Sequence, residues 1–186
     1  MPAPSLSREE VAQRILAEFR RSGYQGATLA SLSEATGLGK SSLYHYFPNG
    51  KTDMAEAAMG VVGVWFGEHV MPTLSEDAPV EKRLKKFAAA LSEFYAKGSL
   101  PCLTDLFTIG EAGDFFQQYL KQRLSGLIKA LAAVVAENGV STEEATRRAE
   151  DALIRMHGAL VVSRALGSTA PFIRTMRNFP GVLLGE

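Results

Sequence analysis

From Val11 to Met176 the apolar residues of this chain fall three and four positions apart, and no stretch alternates with period two for long enough to make a strand. That spacing restricts the chain to an all-α fold. Apolar residues make up 46% of its 186 positions, which is enough to fill the core of one compact helical body or of a small module plus a larger one. No repeat, low-complexity block or long Gly/Ser/Pro linker interrupts it.

Local signals set the helix ends. Ser7 and Glu10 form a capping-box pattern ahead of Val11, Ile15, Leu16 and Phe19, and Gly23 supplies a stop. Thr28 is the next cap, opening a short helix whose buried teeth are Leu29 and Leu32. Gly37 and Gly39 bracket Leu38, and a second short helix follows over about 40–47. Pro48 ends it, Asn49 and Gly50 make a turn, and one long helix is expected over 51–71. Downstream, Val80, Leu84, Phe87, Leu91 and Phe94 form a stripe, and a break at 98–101 precedes a short helix over 103–109. A turn over 111–114 then leads into a helix over 115–137. Ser141 and Glu144 form another capping box, opening a helix to about Leu166, and a last helix with Pro171 in its first turn closes before Pro180. The domain boundary falls near residue 50, with 1–50 as an N-terminal three-helix module and 51–186 as a larger helical domain joined to it by the 51–71 helix.

Two short helices joined by a glycine-containing turn are the outline of a helix-turn-helix. On the 40–47 helix Leu43 and Phe47 face the core, leaving Lys40, Ser41, Tyr44 and His45 together on the other side. Such a face suits the major groove, where a lysine reaches guanine acceptors or phosphate and aromatic rings meet thymine methyl groups. Thr28 and Lys51 stand at helix N-termini, where backbone N–H groups hold phosphate. Charge permits this without advertising it. The formal net charge is zero, but no acidic residue lies between Glu34 and Asp53, while Lys40, His45 and Lys51 do.

The stretch from Thr28 through Gly37, Leu43, Tyr44 and Phe47 to Lys51 resembles the DNA-binding domain of the TetR family of transcriptional regulators. The resemblance covers roughly the first 55 residues. It implies a helix-turn-helix head, an effector-binding and dimerising helical body, and DNA contacts at Thr28, Lys40, Ser41, Ser42, Tyr44, His45 and Lys51. Many members read Phe-Pro-x-Lys, whereas Phe47-Pro-Asn-Gly-Lys51 has one residue more. That variant resembles the branch containing the LmrA and YxaF repressors, some of which respond to flavonoids, which implies an apolar or aromatic effector and release of a palindromic operator.

For the body, Trp65, Phe66, His69, Phe94, Cys102, Phe107, Phe116, Tyr119 and Met156 are the candidate ligand-binding residues among many aromatic and sulfur side chains that serve as core. His69, Cys102 and His157 are polar or soft groups inside apolar stripes. Cys102 has no second cysteine to pair with, and a buried cysteine usually acts as a small hydrophobe. Around 152–166, Leu153, Met156, Leu160 and Val161 interleave with Gly158, Ala159 and Ala165, the pattern of half a two-fold four-helix interface with the helix carrying Phe172 and Met176.

Several classes are set aside. No nucleophile elbow, P-loop, dinucleotide fingerprint or zinc-protease motif is present, so an enzyme is not expected, nor a cofactor. The three histidines lack metal-ligand spacing, so no metal is expected. The apolar run 61–66 is too short to span a bilayer and Met1–Ser7 does not read as a secretory signal, which points to the cytoplasm. A helical adaptor that keeps the head shape without binding DNA is the competing reading, favoured by the balanced charge. Activation in place of repression is also open.

Overall fold

The computed structural model describes residues 6–107 and 111–186, with the side chains of 111–115 excepted. Among these residues all regular structure is helical: α1 (Arg8–Gly26), α2 (Leu29–Thr36), α3 (Lys40–Tyr46), α4 (Lys51–His69), α5 (Val80–Phe94), α6 (Leu103–Phe107), α7 (Glu111–Ala136), α8 (Thr142–Leu166) and α9 (Ala170–Leu184), with short 3-10 turns at Met71–Leu74 and Ala96–Gly98.

The head forms where local chemistry directs it. At the start of α1 the Glu10 amide donates to Ser7 Oγ at 3.1 Å and the Ser7 amide to Glu10 Oε2 at 2.7 Å, so both halves of the box are made. Gly23 breaks the helical path with φ 71°, and one further turn runs on to Gly26. At Thr28 the box closes with serine, Ser31 donating its amide to Thr28 Oγ1 at 3.1 Å. Gly37 takes the left-handed conformation that ends α2 (φ 72°), and its amide caps the Ser33 carbonyl. Arg14 reaches from α1 to donate to the Thr36 carbonyl at 2.8 Å, and the Arg8 guanidinium lies 5.2 Å from the Phe47 ring centroid. Leu32, Leu43 and Phe47 are fully buried in the same core as Val11, Ile15 and Phe19.

In the body α7, α8 and α9 pack side by side, with α5 lying along α9, and α1 touches both α4 and α6. One continuous apolar core runs through head and body. Where α8 turns into α9, the Phe172 amide donates to the buried Ser163 hydroxyl at 3.0 Å. Arg83 ties α5 to the end of α7, donating to the Leu74 carbonyl at 3.0 Å and pairing with Glu137.

Three element boundaries and one helix cap differ from the sequence reading. α4 stops at His69, because Pro72 draws the chain into a 3-10 turn. Residues 111–114, expected as a turn, begin α7. Glu144 does not complete a box at Ser141; its carboxylate is taken by Arg147 and Arg148. And α9 continues through Pro180 to Leu184. A proline there forfeits one amide bond, but Phe179, Pro180 and Leu183 are buried, Phe179 stacks on Phe87 at 6.0 Å, and Arg148 caps the Leu184 carbonyl at 2.7 Å. The far end of the expected 103–109 helix and the Phe115 side chain lie outside the described residues.

Candidate nucleic-acid interface and ligand cavity

Burial of Leu43 and Phe47 turns the opposite side of α3 to solvent. Lys40, Ser41, Ser42, Tyr44 and His45 are all exposed, and Tyr44 keeps 48% of its surface open although it is aromatic. Exposed cation, hydroxyls, phenol and imidazole thus share one short helix, the chemistry that base edges and phosphates accept. Tyr46 faces the other way and donates its hydroxyl to the Leu6 carbonyl at 2.6 Å, anchoring α3 to the chain before α1. Thr28 is exposed at the start of α2, its hydroxyl engaged as the helix cap.

Lys51, expected from the sequence as a DNA contact at a helix N-terminus, opens α4. It is half-buried, with Nζ 3.5 Å from the Gln25 carbonyl and 4.5 Å from the Tyr24 ring centroid. The carbonyl and the π face attract the ammonium back onto the end of α1. The extra residue in the 47–51 turn is absorbed by Gly50 (φ 70°, ψ −133°), a backbone conformation open to glycine, while Asn49 donates its amide to Asp53 at 2.8 Å.

In the body a cavity of about 380 Å3 opens between α4, α5, α7 and α8, within the size range of small-molecule sites. Four of the expected residues line it: Phe66, Phe94, Tyr119 and Met156. Five do not. Trp65 and His69 stack on each other at 4.8 Å beside the cavity wall, with the His69 ring nitrogen 3.0 Å from the Trp65 carbonyl. Phe107 and Phe116 are used in an aromatic cluster with Phe19 and Tyr24, at centroid separations of 5.2 to 6.0 Å, which fastens α6 and α7 to α1. Cys102 stands behind the wall, its Sγ 3.5 Å from His157 Nδ1, and it is His157 that lines the cavity. Burial acts to raise the Cys102 thiol, but the hydrogen bond and charge of His157 outweigh it and hold the thiol below its ordinary value. For His157 burial acts the other way, and the bond to Cys102 leaves the imidazole above its ordinary value.

Sequence periodicity missed Gly63, Leu91, Arg123 and Leu127 in the wall. It also missed Arg20, whose guanidinium on α1 lies 5.0 Å from the Phe94 ring centroid, with its buried Nε unpartnered among the described residues. Phe94 therefore touches the cavity on one side and the head on the other. Trp65 and Phe66 complete this junction, at 5.1 and 4.9 Å from Phe94.

The residues expected to form an interface divide between two faces of α8: Val161, Gly158 and Ala165 are exposed, while the others turn inward. Leu153, Met156, Leu160, Phe172 and Met176 are buried within the chain, because α8 and α9 pack on each other, on α7 and on α5. What lies open is a second stripe: Ile154, Val161, Val162 and Leu166 on α8, with exposed Gly158 and Ala165 between them and Ile173 on α9 alongside. These positions recur three, four and seven apart, so they form one continuous apolar face.

Residues 13–58 match the family described as bacterial regulatory proteins, tetR family. Over 179 residues, 94% of this chain and 93% of the relative, the chain is 25% identical to the uncharacterized HTH-type transcriptional regulator YxaF of Bacillus subtilis. The crystal structure of a TetR transcriptional regulator from Legionella pneumophila superposes with a TM-score of 0.80 at 18% identity, covering 97% of this chain and 98% of that one. A cysteine mutant of the TetR family regulator CifR, complexed with 26 bp double-strand operator DNA, superposes at 0.75 with 16% identity over 97% of this chain and 98% of that one. At these identities the two solved structures establish the shared fold.

Proposed function

We propose that this chain is a TetR-family transcriptional regulator, a class that is not enzymatic, and that it represses transcription as a homodimer on a palindromic operator and lets go when a small apolar or aromatic effector fills the body. The observation that carries the DNA reading is the solvent-facing side of α3, where Lys40, Ser41, Ser42, Tyr44 and His45 stand exposed over a fully buried Leu43 and Phe47. Its likeness in fold to a CifR mutant complexed with operator DNA supports the same partner. One such helix reads too few bases alone, and a two-fold dimer supplies the second half-site. The exposed stripe on α8 with Ile173 of α9 provides the apolar surface for it.

In this reading residues 1–50 are the reading head and 51–186 the sensing and dimerising body, and the protein works in the cytoplasm beside its DNA. No described helix is long and apolar enough to cross a membrane. An effector in the cavity displaces Phe66 and Phe94. Phe66 acts on the distal half of α4, while Phe94 acts on Arg20 and so on α1. Both routes tilt the head and change the spacing of the two α3 helices. Release follows only if the effector prefers the tilted state, and operator then weakens effector binding by the same factor.

Fluorescence anisotropy with the DNA upstream of the chain's own gene tests the core of this. Affinity falls steeply with salt, about 1–3 kcal/mol is lost in Lys40→Ala or Tyr44→Ala with relaxed preference at particular base pairs, and helicity stays native. Lys51→Ala weakens all sequences alike if the lysine swings out to phosphate. Equal affinity for operator and random DNA at every salt concentration would reject DNA reading and favour an adaptor.

A further inference from the structure

Among the described residues the charge around the cavity is one-sided. The described lining holds no aspartate or glutamate, and its two side chains that carry or accept positive charge are Arg123 on α7 and His157 on α8. His157 is already engaged by Cys102 at 3.5 Å and is acted on by the charge of Asp105. Arg123 has no such counterpart, for no described carboxylate pairs with it. Its guanidinium lies 5.1 Å from the ring centroid of Tyr119, and Tyr119 in turn donates to the Met59 carbonyl of α4 at 3.3 Å.

Gly63 explains how the cation comes so close to α4. A Cβ at that position would stand 3.0 Å from Arg123 Nη2. The bare backbone thus leaves room for the guanidinium at the cavity mouth, over an interior of Leu91, Phe94, Leu127 and Met156. A planar fork of donors above an apolar chamber matches a ligand with one anionic end and an apolar remainder.

We propose that the effector is an amphipathic organic anion, with a carboxylate, sulfonate or acidic phenol seated on Arg123 and a planar or extended apolar body reaching toward Phe94 and Met156. This rests on the cavity being the effector site. Gly63 then serves as a positioning residue whose lack of a side chain keeps the arginine over the opening.

A matched pair of fluorescent probes tests it. 1-Anilinonaphthalene-8-sulfonate carries the anionic group, and N-phenyl-1-naphthylamine has the same aromatic body without it. In the full-length protein Arg123→Gln is expected to weaken the sulfonate about tenfold, the worth of one charged hydrogen bond at a partly open site, and to leave the neutral probe within twofold. Arg123→Lys recovers part of the loss, since the charge remains. Gly63→Ala, which crowds the guanidinium while favouring the helix, weakens the sulfonate alone. The proposal is overturned if Arg123→Gln leaves sulfonate binding unchanged, or if both probes weaken alike. Should neither probe bind the wild-type protein, or both bind without competing with one another, the cavity itself is not the effector site and the underlying reading fails first.

Discussion

Replacing Ile154 by alanine separates the proposed dimerisation from folding. Ile154 lies on the outer stripe of α8 and keeps 68% of its surface exposed in the single chain. Complete burial of an isoleucine side chain stabilises by about 1.5–3 kcal/mol, so covering the part still open here contributes about 1–2 kcal/mol per protomer. Alanine retains the Cβ, so the loss is about 1–1.5 kcal/mol on each side. Two-fold symmetry places the substitution twice in one interface, for a total of about 2–3 kcal/mol, which weakens the dimer roughly 30- to 150-fold. The isolated chain is spared, because alanine has the higher helix propensity by about 0.4 kcal/mol and no core contact is lost. Sedimentation velocity across nanomolar to micromolar protein reads the dimer constant directly. Circular dichroism should stay native, while operator binding shifts to higher protein concentration and becomes more cooperative. A dimer constant within threefold of wild type would refute the placement of the interface, as would a wild-type chain that sediments as a monomer throughout.

Other substitutions probe the head and the acid side of the body. Gly50→Ala forces a Cβ into a backbone region with φ 70° and ψ −133°, so it costs about 1–3 kcal/mol in urea unfolding, and it loosens α3 through the adjoining turn; an unchanged midpoint would show that the turn relaxes freely. Tyr46→Phe removes the 2.6 Å bond to the Leu6 carbonyl, an expected loss of about 0.5–1.5 kcal/mol, with operator affinity lowered and base preference intact. Hydrogen bonds from Arg147 and then Arg148 hold the Glu144 carboxyl down at about 2, against an ordinary 4.5. Because the folded value is depressed, that contribution to stability is present above pH 4.5 and disappears as the pH falls from 4.5 toward 2. Melting curves of Glu144→Gln should therefore be flatter than wild type across this window, and a parallel pH dependence would show that the charge does not matter.

The residues that sequence reasoning placed well are those whose roles depend on near neighbours in the chain. Ser7 with Glu10, Thr28 at the head of α2 and Gly37 at its end were legible because a cap or a left-handed turn is decided within four residues. The outward face of α3 was legible for the same reason, since Leu43 and Phe47 leave it no other orientation. The helical body was foreseeable from spacing, but not the rotation of each helix within it. On α8 the apolar residues run around most of the circumference, so two stripes compete for the interior. Only packing against α7 and α9 put Leu153, Met156 and Leu160 inside and left Ile154, Val161 and Leu166 out. Tertiary structure alone brought Cys102 to His157 across 55 residues, set Arg20 over Phe94, folded Lys51 back on Tyr24 and joined Gly63 to Arg123. Nothing within a few residues of Pro180 announces that α9 runs through it, because the burial that offsets the missing amide bond comes from α5 and from α8. Local sequence determines where a helix begins, turns and ends; which of its faces meets which partner is an energy shared among elements far apart in the chain, and that energy exists only once they have packed.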